Sequence, residues 1–567
     1  MKAKKLIALF LVCCLLALSF AGCGGNVDSS NPSSTGGSNN SSTGGDVSNG
    51  NDGETNTSDG PEALTLPLSQ DGAELNVYVS YSGTIVSDLN DIAGVKKMEE
   101  LTGVHVNWTP VNIQEEGEKY GILIASGNYP DIVYSASVYP GGVETGIADG
   151  VIYDDHDTLI HKYMPNYLAY LESNENARRE ATADSGKMLV VKCVVGQDFT
   201  VESEGSYLGL AYRKDILDDL GLAEPTTIDE WHDALAAAKK SGIEYPLMIE
   251  TTGFSPLAWA YGVTLGMPSS NFIQMDGNTV VGSALQEGFG QYLDTMRQWY
   301  SEGLIDPNFT SFNYYLDTPG SVENNEKLLY SSVLSAFSGS NYSNMHMISN
   351  ESAFLQPVTA PVLKKGDAPI QCGDRAYAGD TMFISTSCKD PVLAAKWLDF
   401  QYSKEGELLS WYGIEGETYE LDSDGIPQFT DSVLNNDEGL SPADYLQKFA
   451  RNMGNCWMGK NNWAANMKLT TATSGGVNQQ AEAVSIWSAP AVNIQYPVRS
   501  VTPTAEETDL ISVKSTSVNT MVEEYMINYI IGTVDTPVEE LQQQLLDIGY
   551  QDVIDAYQAA YDRYMAR

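Results

Sequence analysis

The chain has 567 residues, of which 42% are hydrophobic, and its formal net charge is −44 at pH 7. A protein this acidic is excluded as a general binder of nucleic acid or of anionic lipid headgroups, because both carry the same sign of charge. Its length calls for at least two lobes, since a single hydrophobic core stops growing at about 250–300 residues.

The N-terminus has the parts of an export signal. Three lysines precede an uncharged apolar run at residues 6–20, and two small residues separate Phe20 from Cys23. The run is too short to span a bilayer with ease, which favours a signal peptide over residues 1–23. The segment resembles the lipobox of bacterial lipoproteins, although that family prefers Leu where Phe20 stands. The resemblance implies lipidation of Cys23 and a protein anchored on the extracellular face of the cell membrane; the alternative is an ordinary secretory signal.

A polar leash is predicted to follow. Residues 24–60 are almost entirely Gly, Ser, Asn, Thr and Asp, so they offer little apolar surface to offset the entropy of ordering them. As a flexible coil they would reach roughly 30–36 Å. The folded body is expected to occupy residues 61–567. Removal of the three signal lysines takes the net charge from −44 to −47.

The first part of the body alternates strand and helix patterns. Hydrophobic alternation predicts strands over residues 74–80, 104–108 and 131–134, with helices over 88–101 and 113–126 between them. This order predicts an α/β sheet with parallel connections.

Later segments continue the mixed pattern. Thr227 with Glu230 predicts a capped helix over residues 228–240. Further strands are predicted over 187–195, 208–212 and 381–385, hairpins over 271–281 and 421–429, and helices over 287–300, 391–402, 509–531 and 538–567.

Four cysteines lie in the body, at Cys193, Cys372, Cys388 and Cys456. Their wide spacing does not match a disulfide framework or a metal-binding knuckle. We therefore favour free thiols over any bridge, and we expect no metal and no cofactor.

Several short motifs, in this order, resemble the extracellular solute-binding proteins of carbohydrate ABC transporters, in particular the Gram-positive lipoproteins. The motifs spread over most of the body: residues 125–133 (ASGNYPDIV), 212–215 (YRKD), 220–222 (LGL), 225–227 (PTT), 383–385 (FIS), 388–391 (CKDP), 396–400 (KWLDF), 402–406 (YSKEG), 412–416 (YGIEG) and 560–564 (AYDRY).

The resemblance implies a fold class and an architecture: α/β, two-lobed and periplasmic-binding-protein-like (type II), with the lobes joined by hinge strands around a ligand cleft. Chain crossings are expected near residues 207–212, near 377–383 and around 445. The first lobe would then take about residues 72–206 and 378–445, and the second about 207–377 and 446–567.

Sugar sites combine flat aromatic platforms with fixed amides, carboxylates and hydroxyls. Two tryptophans, Trp457 and Trp463, share the amide-rich segment 455–463 (NCWMGKNNW), and Trp259 follows a predicted strand. Three other candidate ligand-binding residues follow predicted strand ends: Tyr81, Ser82 and Tyr139. Asp380 lies on a predicted crossing strand, and Trp487 is a further aromatic candidate. For each the alternative is a structural role in a lobe core or at the hinge.

Other residues in the matching motifs have patterns typical of structure. Arg213 and Asp215 are expected to pair with each other or to cap a helix, Glu415 to fix a tight loop, and Trp397 with Phe400 to lie in a core.

No catalytic residues are predicted, because the body lacks a nucleophile elbow, a zinc helix and a phosphate loop. The function expected is capture of an oligosaccharide between the lobes by a monomer, followed by delivery to the permease subunits of an ABC transporter. The alternatives are an extracellular glycan-degrading enzyme and a peptide-binding receptor.

Overall fold

The structure is a computed structural model that describes residues 60–135, 139–195, 208–249, 256–265, 272–314, 316–334, 337–339, 347–370, 378–461, 464–473, 479–488, 494–495 and 501–567. The chain divides into two units, 1–57 and Ser58–Arg567, and the described ranges belong to the second unit. Within them, no helix combines the length and hydrophobicity that a membrane crossing requires.

The described residues form fifteen strands. In chain order they are β1 (Ala73–Ser80), β2 (Val104–Val111), β3 (Ile132–Ser135), β4 (Val191–Val195), β5 (Leu208–Arg213), β6 (Leu247–Met248), β7 (Ile273–Asp276), β8 (Thr279–Gly282), β9 (Leu329–Leu334), β10 (Leu355–Val358), β11 (Ala378–Ile384), β12 (Tyr419–Leu421), β13 (Pro427–Phe429), β14 (Lys460–Asn461) and β15 (Ile494–Gln495).

Twenty α-helices accompany these strands in the described ranges. They are α1 (Ala93–Thr102), α2 (Glu116–Ser126), α3 (Val143–Ala148), α4 (His156–Tyr163), α5 (Pro165–Ser173), α6 (Glu175–Ala181), α7 (Lys214–Asp219), α8 (Ile228–Ser241), α9 (Pro256–Trp259), α10 (Glu287–Ser301), α11 (Thr318–Glu323), α12 (Pro391–Phe400), α13 (Lys404–Trp411), α14 (Asp431–Leu434), α15 (Pro442–Leu446), α16 (Ala464–Thr473), α17 (Gln479–Ser488), α18 (Ala505–Ile531), α19 (Val538–Asp547) and α20 (Tyr550–Met565).

Two sheets organise the two lobes. The first has the strand order β14-β4-β11-β3-β1-β2, and the second has the order β10-β5-β9-β6. In the first sheet β1 runs parallel to β2 and β3, which confirms the predicted parallel connections, whereas β11 runs antiparallel to β3 and β4. The hairpins β7–β8 and β12–β13 form where they were predicted.

Each lobe has its own hydrophobic core. One face of the first sheet packs with Val77, Ile132 and Trp397, while the second core gathers Leu210, Trp231 and Trp299 with helices α18 to α20. Trp397 is fully buried and Phe400 is 1% exposed, so the prediction that both lie in a core is confirmed.

The chain passes from the first sheet to the second between β4 and β5, and it returns between β10 and β11. The third crossing is predicted around residue 445, and the first sheet includes the chain up to Asn461 in β14. Lys460 in β14 pairs with β4, and Cys456 packs in the first core. A polar two-residue strand carries no alternating pattern, so the sequence could not reveal this pairing.

Local signals explain several helix boundaries. Thr227 accepts a hydrogen bond from the backbone of Glu230, and the Glu230 carboxylate accepts one from the backbone of Thr227, which is the predicted capping box of α8. The stretch predicted as helical over 538–567 is two helices, because Gly549 adopts φ 95° between them.

The remaining structural predictions concern side-chain pairing. Arg213 is almost fully buried and its guanidinium donates to Asp215 at 2.5 and 2.8 Å, as expected. Among the described residues, Cys193, Cys388 and Cys456 form no disulfide bond, and Cys372 lies outside the described residues.

Candidate functional site

The carboxyl end of the first sheet carries a line of polar side chains across four strands. Thr381 pairs with Ser135 on one side and with Lys192 on the other. The β1–β3 register places Tyr78 beside Val133, and the same register continued by two residues would set Ser80 level with Ser135. Residues spaced by two share a face of the sheet. We call Ser80, Ser135, Thr381 and Lys192 the polar row.

The polar row is linked by hydrogen bonds to its own strands and to α2. The Lys192 Nζ donates to Thr381 Oγ1 at 3.0 Å. The Ser135 hydroxyl donates to the carboxylate of Glu116, the first residue of α2. A carboxylate at that position also interacts favourably with the positive end of the helix dipole.

Two buried hydroxyls beside this network lack a hydrogen-bond partner among the described residues. They belong to Tyr78 and Ser80, which are 3% and 2% exposed. Burial, together with the carboxylate of Glu116, raises the pKa of Tyr78 to about 12, so its hydroxyl keeps its proton at neutral pH. Such groups are exceptions in folded proteins, because a buried hydroxyl without a partner costs free energy.

A cavity of about 400 Å³ lies between the two lobes, and Lys192 is the residue of the polar row that lines it. Tyr139 and Lys192 line it from the first lobe, and Thr502, Tyr557 and Arg567 line it from the second. The volume is within the range of small-molecule sites, and the lining combines aromatic rings with hydroxyl and charged groups. The Tyr139 hydroxyl donates to Asp149 at 2.9 Å, which fixes the ring in the wall of the cavity.

Two predicted ligand residues, Tyr81 and Ser82, lie beside Gly454 at the end of β1. The backbone of Ser82 donates to the carbonyl of Gly454 at 2.7 Å, three residues before the partly buried Trp457. Tyr81 points to the opposite face of β1 from Ser80 and packs in the first core, with its hydroxyl donating to Val86 at 2.6 Å. Tyr139 is separate from these two, in the cavity.

The segment that carries Trp457 is held by buried charges. The guanidinium of Arg451 is 1% exposed and donates to the carbonyl of Met458 at 3.0 Å and to Gln401 at 2.9 Å. Lys460 pairs with the buried carboxylate of Glu407 at 3.3 Å. The hydrogen bonds of Arg451 Nη2 to Gln401 and Met458 hold this segment against the first lobe.

Two other predicted residues, Trp259 and Trp487, lie in the second lobe and are each 1% exposed. Trp487 packs directly on Gly209, where an added Cβ would come within 2.3 Å of the indole, and its Nε1 donates to the Leu210 carbonyl at 3.1 Å. Trp259 packs against Ala360. In this conformation neither indole offers surface to a ligand.

The structure gives little information on the last two predicted residues, Asp380 and Trp463. The side chain of Asp380 and all of Trp463 lie outside the described residues, although the backbone places Asp380 in β11 next to Thr381. The ligand roles of all eight residues remain predictions.

Sequence reasoning missed the polar row and Glu116. In two of the four strands the signal was present as a polar residue in an apolar run, with Lys192 within LVVKCVV and Ser135 at the end of DIVYS. Only the strand register shows that these residues are neighbours. In the described part of the chain, no three His, Cys, Asp or Glu side chains converge as a metal-ligand set.

Two α/β lobes with a cavity between them define the class of two-lobed solute-binding proteins. Residues 85–408 match the family of bacterial extracellular solute-binding proteins, and because this is more than half of the chain, the protein belongs to that family.

Named relatives agree with this assignment. The fructooligosaccharide ABC transporter substrate-binding protein FusA of Streptococcus pneumoniae is 26% identical over 534 residues, which cover 90% of this chain and 95% of FusA. Lipoprotein LipO of Bacillus subtilis is 21% identical over 376 residues, 63% of this chain and 69% of LipO.

Solved structures show the same fold. A human-milk-oligosaccharide-binding solute-binding protein of Bifidobacterium longum infantis matches with a TM-score of 0.67 at 16% identity, over 87% of this chain and 99% of that protein. FusA in complex with kestose matches with a TM-score of 0.64 at 21% identity, over 87% and 99% of the two chains.

Proposed function

We propose that the protein captures a neutral or acidic oligosaccharide in the interlobe cavity and delivers it to the permease of an ABC transporter. The observation that carries the proposal is the cavity between the lobes, which is walled by Tyr139 and Tyr557 and receives Lys192 from the polar row. Sugars present hydroxyl edges and C–H faces, which match hydroxyl-rich edges and aromatic walls. The relatives named for oligosaccharide binding support the choice of ligand class.

The mechanism that we propose is capture by closure. A ligand that touches Lys192 in one lobe and Tyr557 in the other favours the arrangement in which both are within reach. The closed monomer is then the form that the permease recognises. The lipid at Cys23 would keep the protein at the extracellular face of the membrane, and the relation to a named lipoprotein supports that placement.

A thermal-shift screen of the unit Ser58–Arg567 tests the ligand class. Kestose, a milk oligosaccharide, an oligouronate and a peptide of similar size form the panel. At a concentration of 100 times Kd, a ligand that binds only the native state adds about 2.7 kcal/mol, or roughly 2–3 °C in Tm for a body of this size. A peptide that stabilises the protein while all the sugars fail would contradict the proposal, and so would turnover of any sugar.

Titration calorimetry with the best sugar then tests the site. Tyr139→Ala and Lys192→Met should each weaken affinity about tenfold or more, because each removes a group in the cavity wall. Tyr245→Ala and Lys119→Met are matched controls outside this cavity and should bind like the unmodified protein. Equal affinities for all four variants would contradict the proposal that the sugar binds in this cavity.

A further inference from the structure

A group of charged residues joins the lobes beside the cavity. Asp184 follows α6, which packs with the first core, whereas Arg563 and Arg567 lie at the end of α20 in the second lobe. The Asp184 carboxylate accepts from Arg563 Nε at 2.7 Å and from Arg567 Nε and Nη2 at 2.8 and 2.6 Å. One carboxylate of the first lobe therefore receives three charge-assisted hydrogen bonds from the second lobe.

The second lobe holds both arginines in place by itself. Glu507 in α18 accepts from Arg563 Nη1 and Nη2 at 3.0 and 2.5 Å. Thr502 accepts from Arg567 Nη2 at 2.7 Å. Since these contacts lie within one lobe, they do not depend on the distance between lobes, and the arginines are oriented before Asp184 meets them.

Further contacts surround the same junction. The Tyr564 ring lies 5.3 Å from the Arg567 guanidinium and 5.8 Å from that of Arg179, which belongs to the first lobe. The side chain of Arg567 is 2% exposed and that of Asp184 is 25% exposed. Pairs in such a setting are screened less than surface ion pairs and are sensitive to the loss of one partner.

The junction is part of the cavity wall. Arg567 and Thr502 line the cavity from the second lobe, and Thr182 lines it two residues before Asp184. Hydrogen bonds of less than 3 Å form only within a narrow range of separations, so these contacts exist at one arrangement of the lobes.

We propose that Asp184, Arg563 and Arg567 form an interlobe clasp that holds the lobes at the separation in which the cavity binds its ligand. Arg567 lines the cavity, whereas Asp184 does not, so Asp184 would change ligand affinity through the separation of the lobes and not through contact with the ligand. Its link to affinity rests on the proposed function, whereas its effect on the lobes does not.

Small-angle X-ray scattering of the ligand-free unit Ser58–Arg567 tests the clasp directly. Asp184→Ala removes the acceptor, so the lobes should separate more often and the radius of gyration should rise by about 1 Å above the roughly 23 Å of a compact chain of this length. Asp219→Ala is the control, since it removes the same charge from an exposed position on α7. Equal radii for Asp184→Ala and Asp219→Ala would overturn the proposal.

A second variant protects the test against misfolding. Asp184→Asn keeps the volume of the side chain and removes only its charge. The radius of gyration should therefore rise in this variant too, but by less than in Asp184→Ala. A cooperative thermal transition in each variant shows that the body is folded. If Asp184→Asn is folded and scatters like the unmodified protein, the proposal fails even where Asp184→Ala does not fold.

Calorimetry with kestose connects the clasp to binding. Asp184→Ala should bind about fivefold more weakly than the unmodified protein, which is the low end of typical coupling between sites. An unchanged affinity in Asp184→Ala would contradict the link between clasp and cavity. Absence of kestose binding by the unmodified protein would count against kestose as the ligand in the proposed function. The scattering comparison would still show whether the clasp holds the lobes together.

Discussion

His156 shows how burial determines the protonation of a single residue. Its side chain is 1% exposed, its Nδ1 lies 2.7 Å from the carbonyl of Tyr153, and its Nε2 accepts from the backbone of Ile384 at 2.9 Å. These partners assign the proton to Nδ1 of a neutral ring. Burial lowers the pKa of His156 to about 4, because the charged form would lose its hydration.

The first prediction is a loss of stability in mild acid that depends on His156. The pKa is lower in the folded protein than in the unfolded chain, so the unfolded chain binds more protons below pH 6.5 and the free energy of unfolding falls. Relative to His156→Gln, which does not titrate, the stability advantage of the unmodified protein should shrink by about 2 kcal/mol between pH 7 and pH 5. Urea unfolding at both pH values measures it.

The comparison with a variant is needed because Asp399 changes the free energy of unfolding with pH in the opposite direction to His156. Burial raises the pKa of Asp399 to about 6, so its contribution to stability is present at low pH and is lost as pH rises. His161→Gln, on the exposed side of α4, controls for the substitution itself. A difference between the unmodified protein and His156→Gln that stays constant with pH would contradict the assignment.

Asp399 also explains part of a motif that the sequence left without a role. Its carboxylate accepts from the backbones of Asn166 and Tyr167, at 2.9 and 3.0 Å, in the first turn of α5. The carboxylate of α12 thus caps a helix more than 200 residues earlier in the chain. The motif KWLDF therefore joins two core side chains to an inter-helix cap.

At the scale of elements, the helix caps have measurable energies. Thr227→Ala should lower the free energy of unfolding by about 1 kcal/mol, because it removes the side-chain acceptor for the backbone of Glu230 at the start of α8. Thr227→Ser keeps the hydroxyl and should retain most of the stability. Chemical denaturation of both variants measures the difference, and equal losses in Ala and Ser would show that the cap is not responsible.

The strands explain why the site appears where it does. In β1, β3, β4 and β11 apolar residues fill the cores, and Thr381 lies between Ser135 and Lys192, of which Lys192 reaches the cavity. The same alternation separates Ser80, in the polar row, from Tyr81, in the core. A shift of one residue in β1 would exchange the two faces.

At the scale of the whole molecule, the membrane location of the protein can be tested by substitution of Cys23. Cys23→Ser removes the thiol that would carry the lipid, so the protein should move from the membrane fraction to the medium. Mass spectrometry of the mature N-terminus of the unmodified protein should find a lipid-modified Cys23. An unmodified N-terminus at another residue would show an ordinary secretory signal. Phe20, where the lipobox prefers Leu, would then be the residue that distinguishes this segment from a lipobox.

The sequence by itself determined the local features of the molecule. The boundaries of α8 follow from Thr227, Glu230 and Gly242, and the strand–helix order around β1 to β3 follows from hydrophobic spacing. Motifs spread over the body also identified the family. These signals were readable because each depends on residues within a few positions of one another or on a retained order of short segments.

Only the tertiary structure shows which residues far apart in the sequence are in contact. Strand register joined Lys192 to Thr381, β14 kept residues up to Asn461 with the first lobe, and the close of α20 placed Arg563 and Arg567 on Asp184. Each of these pairs is separated by more than 100 residues or by a strand too short to show a period, and only packing of the two cores brings them within hydrogen-bond distance.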